Sequence, residues 1–183
     1  MKRVFLSEHG EIVSSITADP TLIALNTPEG AEYIDTDRTI CLSDYWNGSM
    51  FVSIGEPPSL HHTFDYTTKQ WLDVRTIYEI KEQKWKELKI QRDKLEFGGF
   101  EFDGGIYDSD QVSQGRIMGA VIAGVDQIWT LADNTTVELS ASQLQQLYAA
   151  LQAHIASAHE RGRIARQLIF DAENKEEVEA IQL

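Results

Sequence analysis

Residues 97–139 read FGGFEFDGGIYDSDQVSQGRIMGAVIAGVDQIWTLADNTTVEL, and this stretch decides the fold. Gly98-Gly99 stops any helix that precedes it. Phe100-Glu101-Phe102 and Ile106-Tyr107 alternate around Asp103-Gly104-Gly105, a turn that supplies the positive φ values a tight hairpin demands. Asp108-Ser109-Asp110-Gln111 opens a helix, with Asp108 as the N-cap and Gln111 at its third position. Val112, Ile117, Ala120, Val121 and Gly124 let that helix lie close to a neighbour. Ile128–Leu131 and Thr136–Leu139 form a second hairpin across Ala132-Asp133-Asn134-Thr135, where Asp133 and Asn134 are the turn formers. These residues serve turns, strand pairs and caps, and none is arranged for chemistry.

Downstream, Ser140-Ala141-Ser142-Gln143 is a capping box, Ser140 and Gln143 answering each other's exposed N–H groups. Leu144, Leu147, Tyr148, Leu151, Ile155, Ala158, Gly162, Ala165 and Ile169 then recur every three or four residues. They draw one apolar stripe along about seven helical turns. Residues 171–183 are acidic and read as a flexible tail.

Upstream, Thr76-Ile77-Tyr78-Glu79 is another capping box, Thr76 with Glu79, and its helix runs to about Glu96. Ile77, Lys81, Lys84, Leu88, Gln91 and Leu95 fall on a heptad seam, with Ile80 and Trp85 widening the apolar face. Half of the seam is polar, so an isolated coiled coil would be weak. Two readings stay open: the six residues form an oligomer seam between copies, or the helix packs on the chain's own C-terminal part.

The first 56 residues hold short alternating runs at 3–6, 11–13, 31–34 and 49–52, separated by turn formers. Asn47-Gly48 between Trp46 and Met50 is a hairpin signal. Gly55-Glu56-Pro57-Pro58 is a stiff linker. Phe64-Asp65-Tyr66 and Gln70-Trp71-Leu72 then bracket a small hairpin with facing aromatic side chains. The expected fold is α+β. It has a β-rich N-terminal attachment domain (1–56), a linker and small hairpin (57–75) and a charged connecting helix (76–96). A C-terminal module of two β-hairpins packed with two helices (97–170) and the tail (171–183) follow.

Of the 183 residues, 42% are apolar and 9% aromatic, enough to fill a core. The 29 acidic against 16 basic side chains leave a net charge of −13, which repels phosphate backbones and argues against nucleic acid as a partner. The charge is uneven: residues 1–75 carry net −6, residues 76–96 net +1 and residues 97–183 net −8. The single cysteine, Cys41, permits no internal disulfide and reads as a buried or half-buried small hydrophobe. No run approaches the ~20 apolar residues of a membrane span, so the expectation is a protein made in the cytoplasm, without membrane insertion.

A search for chemistry yields no catalytic residue, no metal site within one chain and no cofactor. His61 and His62 are adjacent on an extended segment and point opposite ways. His154 and His159 diverge around their helix, and His9 stands alone, although a three-fold assembly would gather one histidine per chain around its axis. Asp103, Asp108 and Asp110 lack the spacing of a calcium loop. Arg116, between two aspartate-rich hairpins, is expected to form an ion pair across the module, with a ligand contact as the alternative. Tyr45 and Trp46 are candidates for an exposed aromatic patch suited to sugar stacking; a buried hairpin core would use the same residues.

The block Gly98-Gly99-Phe100, Asp103-Gly104, Asp108-Ser109-Asp110, Ser113-Gln114, Arg116-Ile117 and Gly119-Ala120 resembles a domain of unknown function found in tailed bacteriophages and prophages. The likeness continues through Trp129–Asn134 and the long helix from Ser142 to Ile169. Upstream it takes in His61, His62, Phe64, Asp65, Tyr66, Thr68, Lys69, Gln70 and Trp71. The resemblance implies a structural or adaptor protein of the virion tail, bound to a tail fibre or baseplate protein. A fibre assembly chaperone and a receptor-binding tip are the alternatives. It also suits a homo-oligomer, with a trimer among the forms, and brings no catalytic residues with it.

Overall fold

In a computed structural model, which describes residues 1–41 and 43–183, the chain forms two units, Met1–Arg75 and Thr76–Leu183. Several small open antiparallel sheets and a set of helices make it an α+β protein.

In the first unit, strand β1 (Lys2–Leu6) lies between β2 (Ile12–Thr17) and β3 (Tyr33–Thr36), antiparallel to both. Its alternation turns Val4 into the core, where it is fully buried. The β1–β2 register shifts between Phe5 and Leu6, a bulge that leaves Val13 without a cross-strand partner. Helix α1 (Pro20–Leu25) follows and buries Ile23. It was not anticipated from the sequence, although its start is legible there. The Asp19 carboxylate accepts the N–H groups of Thr21 and Leu22, and Pro20 sits where its missing N–H is not needed.

Hairpin β4–β5 (Asp44–Trp46, Phe51–Ser53) turns through Asn47–Met50. The Asn47 side-chain oxygen accepts from Ser49 and Met50, so the Asn-Gly pair opens a four-residue loop instead of forming a two-residue turn. Hairpin β6–β7 (His62–Asp65, Gln70–Asp73) places Phe64 opposite Trp71. Gly10 links the sheet to β4. Its carbonyl accepts from Trp46 at 2.8 Å, its φ is +79°, and an added Cβ would collide with the Trp46 carbonyl oxygen.

In the second unit, α2 (Ile77–Phe97) is capped by the Thr76–Glu79 box and ends at Gly98. Strands β8 (Phe100–Phe102) and β9 (Gly105–Tyr107) meet through a two-residue turn, Asp103-Gly104, with φ of 48° and 77°. Two positive φ values suit the right-handed twist of the strands. Gly105 lies in the strand, paired with Phe102. Helix α3 (Gln111–Ala123) precedes hairpin β10–β11 (Gln127–Thr130, Thr136–Leu139), and α4 (Ala141–Asp171) is capped by the Ser140–Gln143 box.

Phe100, Tyr107, Ile117, Ala120, Leu139, Leu144, Leu147 and Leu151 form one core cluster, drawn from both hairpins, α3 and the first half of α4. Leu88, Ala165 and Ile169 form a second cluster where α2 crosses the second half of α4. There Gly162 permits the approach, because a Cβ would stand 3.1 Å from Arg92 Cδ. The C-terminal segment departs from the expected flexible tail. Residues Lys175–Ala180 form α5, Asn174 caps it, Val178 is fully buried, and Ile181 and Leu183 pack against the Leu88 cluster. Apolar residues spaced at 178, 181 and 183 thus outweigh the acidic composition.

Candidate functional site

In the first unit Tyr45, Phe64, Tyr66 and Trp71 form a connected aromatic cluster, and Trp46 with Phe51 is a separate pair. Phe64 lies 5.4 Å from Tyr45, 5.2 Å from Tyr66 and 5.5 Å from Trp71, and Trp46 lies 5.1 Å from Phe51. Trp71 Nε1 donates to the Ile54 carbonyl at 3.0 Å. Lys69 Nζ stands 4.9 Å from the Tyr45 ring centroid and donates to the His9 carbonyl. Tyr45 and Trp46 are both half-buried. Tyr45 is held between Phe64 and Lys69, whereas Trp46 lines a groove of about 300 Å³ with His9, Glu32, Asn47, Tyr66 and Lys69. Hydrogen bonds from the Thr68 hydroxyl, then the Thr67 N–H, hold the Asp65 carboxyl below the usual carboxylate range, and burial pushes the Tyr66 hydroxyl up.

Cys41 is exposed, contrary to the expected burial. His62 Nδ1 lies 2.9 Å from the Ser59 hydroxyl, and His9 pairs with Glu8 at 3.2 Å.

In the second unit, Leu88 is fully buried against Ala165 and Ile169 of its own chain. Lys81 and Lys84 each donate at 2.8 Å to a carbonyl, of Phe170 and Glu179 respectively, and Ile77 is half-buried. Gln91 and Leu95 are exposed. Of the six heptad positions, four thus face partners or partial burial within one chain.

The cap of α3 falls two residues later than expected. Asp110, not Asp108, accepts from the Val112 and Ser113 N–H groups, and Gln111 is the first helical residue. The reason is Ser109, whose buried hydroxyl is tied back to the end of α2 and fixes the chain before the helix starts. The Ser113 hydroxyl, bonded at 2.6 Å, holds the Asp110 carboxyl low, with its N–H bonds and nearby Arg116 adding to the effect. In the second hairpin, Asp133 accepts from the Thr135 hydroxyl and N–H, and Asn134 takes φ of 66°.

The outer face of α3 is apolar and exposed. Val112 is 61% exposed, Met118 48% and Ile122 78%. Gly115 and Gly119 lie between them on the same side of the helix. Beside this face opens a groove of about 600 Å³ lined by Asp108, Ser113, Arg116, Trp129 and Asn134, with Ile128 also in its wall. Arg116 has no ion pair within 4.0 Å among the described residues, so the expected bridge across the module is not formed.

The two α4 histidines converge on Glu96, which sequence spacing did not suggest. His154 Nε2 lies 3.3 Å from the Glu96 carbonyl and stacks on Phe100, while His159 Nε2 lies 3.2 Å from the Glu96 carboxylate. One binds main chain and the other side chain, so helical divergence is no obstacle. Among the described residues no group of three or more His, Cys, Asp or Glu is placed to hold a metal ion. Nor is any helix among them long and apolar enough to cross a membrane.

These features define an α+β protein of small hairpins and helices. Residues 79–182 match the family described as a domain of unknown function, DUF4376; the match spans more than half of the chain, which belongs to that family. The matched range runs from the first turn of α2 through α5. The His61–Trp71 motif lies outside it. No curated protein and no solved structure matches the chain.

Proposed function

We propose that this chain is a non-enzymatic structural or adaptor protein of a bacteriophage tail, attached to a tail fibre or baseplate protein. The observation that carries the reading is membership of DUF4376 over 79–182, a range that takes in nearly the whole second unit. The roles of its polar side chains support the non-enzymatic part. Asp110, Asp133, Ser109, Ser140 and Gln143 are each committed to a cap, a turn or a helix junction. The uncharged outer face of α3 offers contact area instead of reacting groups.

The second reading is a fibre assembly chaperone, favoured by the same exposed apolar face, since an assembly factor must cover apolar fibre surface temporarily. A receptor-binding tip has less support, because Tyr45 is occupied by Phe64 and Lys69 and only Trp46 opens onto a groove. Quantitative mass spectrometry of purified virions separates the readings. A fixed copy number per tail is the expected result. Abundance in infected lysate with absence from purified virions would overturn the structural role in favour of the chaperone.

A further inference from the structure

We propose that the groove beside α3 is a binding site for a neutral saccharide. Its walls come from the β9–α3 connection, α3 and the β10–β11 hairpin, and Asp108, Arg116, Gln127, Thr130 and Asn134 line it together with Trp129.

Unused hydrogen-bonding capacity is the first argument. Among the described residues, the side chains of Asp108, Arg116, Gln127, Thr130 and Asn134 make no hydrogen bond within the chain. Comparable side chains elsewhere in this unit are committed. Asp110 and Ser140 cap helices, Asp133 ties the second turn, and Ser109 holds the end of α2. Asp108 leaves the cap of α3 to Asp110, and Arg116 has no carboxylate within 4.0 Å. Both line one groove without pairing with each other, so both are available to a ligand.

Trp129 is the second argument. It packs against the core cluster from a half-buried position, yet it stacks on no other aromatic ring among the described residues. Its indole N–H has no partner within the chain. No polar side-chain atom among the described residues is both buried and without a partner, so this N–H is open to solvent. The groove thus holds an aromatic surface with a free donor on its edge.

These groups match the chemistry of a sugar. A hydroxyl donates one hydrogen bond and accepts others, so neighbouring ring hydroxyls need acceptors and donors side by side. Asp108 only accepts, Arg116 only donates, and Gln127, Thr130 and Asn134 do both. The C–H face of a pyranose is apolar and suits the indole, an apolar body with one polar edge. Charge selects the neutral class. One carboxylate and one guanidinium cancel in the groove, while residues 97–183 carry 13 acidic and 5 basic side chains, a field adverse to an anionic ligand. The groove volume of about 600 Å³ falls within the roughly 300–1,000 Å³ of small-ligand sites. The site serves a virion component and an assembly factor alike, so it stands independently of the tail reading.

An array of neutral hexose and N-acetylhexosamine oligosaccharides, with sialylated and uronic-acid glycans beside them, tests the proposal when probed with the full chain. Isothermal titration calorimetry then follows the strongest neutral binder. The expected result is saturable binding that Asp108→Asn and Arg116→Ala each weaken by roughly tenfold or more. Far-UV circular dichroism should stay unchanged, because both side chains are exposed and make no hydrogen bond within the chain. Failure to bind any neutral glycan, binding confined to the acidic glycans, or native affinity in either variant would each overturn it. None of these outcomes bears on whether the protein is found in virions.

Discussion

Ser109 Oγ donates to the carbonyl oxygen of Glu96 at 2.6 Å while accepting the Gly99 N–H at 2.9 Å. The last carbonyls of a helix lack intrahelical partners, and here a fully buried hydroxyl from beyond the next hairpin supplies one. His154 approaches the same carbonyl and His159 the Glu96 carboxylate, so the end of α2 is held from the β9–α3 connection and from α4 together.

Replacing Ser109 by alanine removes the acceptor of the half-buried Gly99 N–H and the donor to the Glu96 carbonyl, at a cost of about 1–3 kcal/mol. Urea denaturation followed by tryptophan fluorescence measures it. An unchanged midpoint would show that water or His154 takes over the bond.

Leu88→Ala should destabilise the second unit by about 2–5 kcal/mol, because the cavity opens between two long helices that cannot close on it. Lysine at this position should unfold the α2–α4 contact. A folded variant of lower mass would instead indicate that Leu88 serves an interface between copies. Circular dichroism alongside light scattering tells these outcomes apart.

Gly10→Ala forces a Cβ into the Trp46 carbonyl at a backbone angle that L-residues rarely adopt. The φ strain alone costs about 1–3 kcal/mol. Hydrogen exchange should show lost protection in β1, β2 and β4 and unchanged protection in α2 and α4. Native-like protection throughout would mean the turn can re-form around a side chain.

Asp110 supplies a pH dependence. Its carboxyl titrates below the ordinary value, so its contribution is fully present above the unfolded pKa and is lost as pH falls through the lower, folded pKa. Thermal melts of the native chain should therefore decline below about pH 4. Asp110→Asn should be less stable at neutral pH and show a shallower decline. Parallel curves for the two proteins would assign the acid sensitivity to other carboxylates, of which Asp35, Asp65, Asp133 and Glu177 are also held low.

Sequence patterns decided the local structure of the second unit. Capping boxes at Thr76 and Ser140, the Asp103-Gly104 turn and the period of the long helix are short-range devices whose partners lie within a few residues, so reading the chain is enough to find them. Tertiary structure alone decided what long-range contacts determine. The heptad pattern of α2 left open whether Leu88 met another copy or its own chain; within one copy Ala165 and Ile169 fill that place, from more than seventy residues away. Ser109 displaced the α3 cap from Asp108 to Asp110 through a bond to Glu96, and burial of Val178 turned an acidic tail into α5. Periodicity shows that a residue has an apolar face or a donor to satisfy. Which atom satisfies it depends on distant segments brought together by packing, and no local pattern encodes that choice.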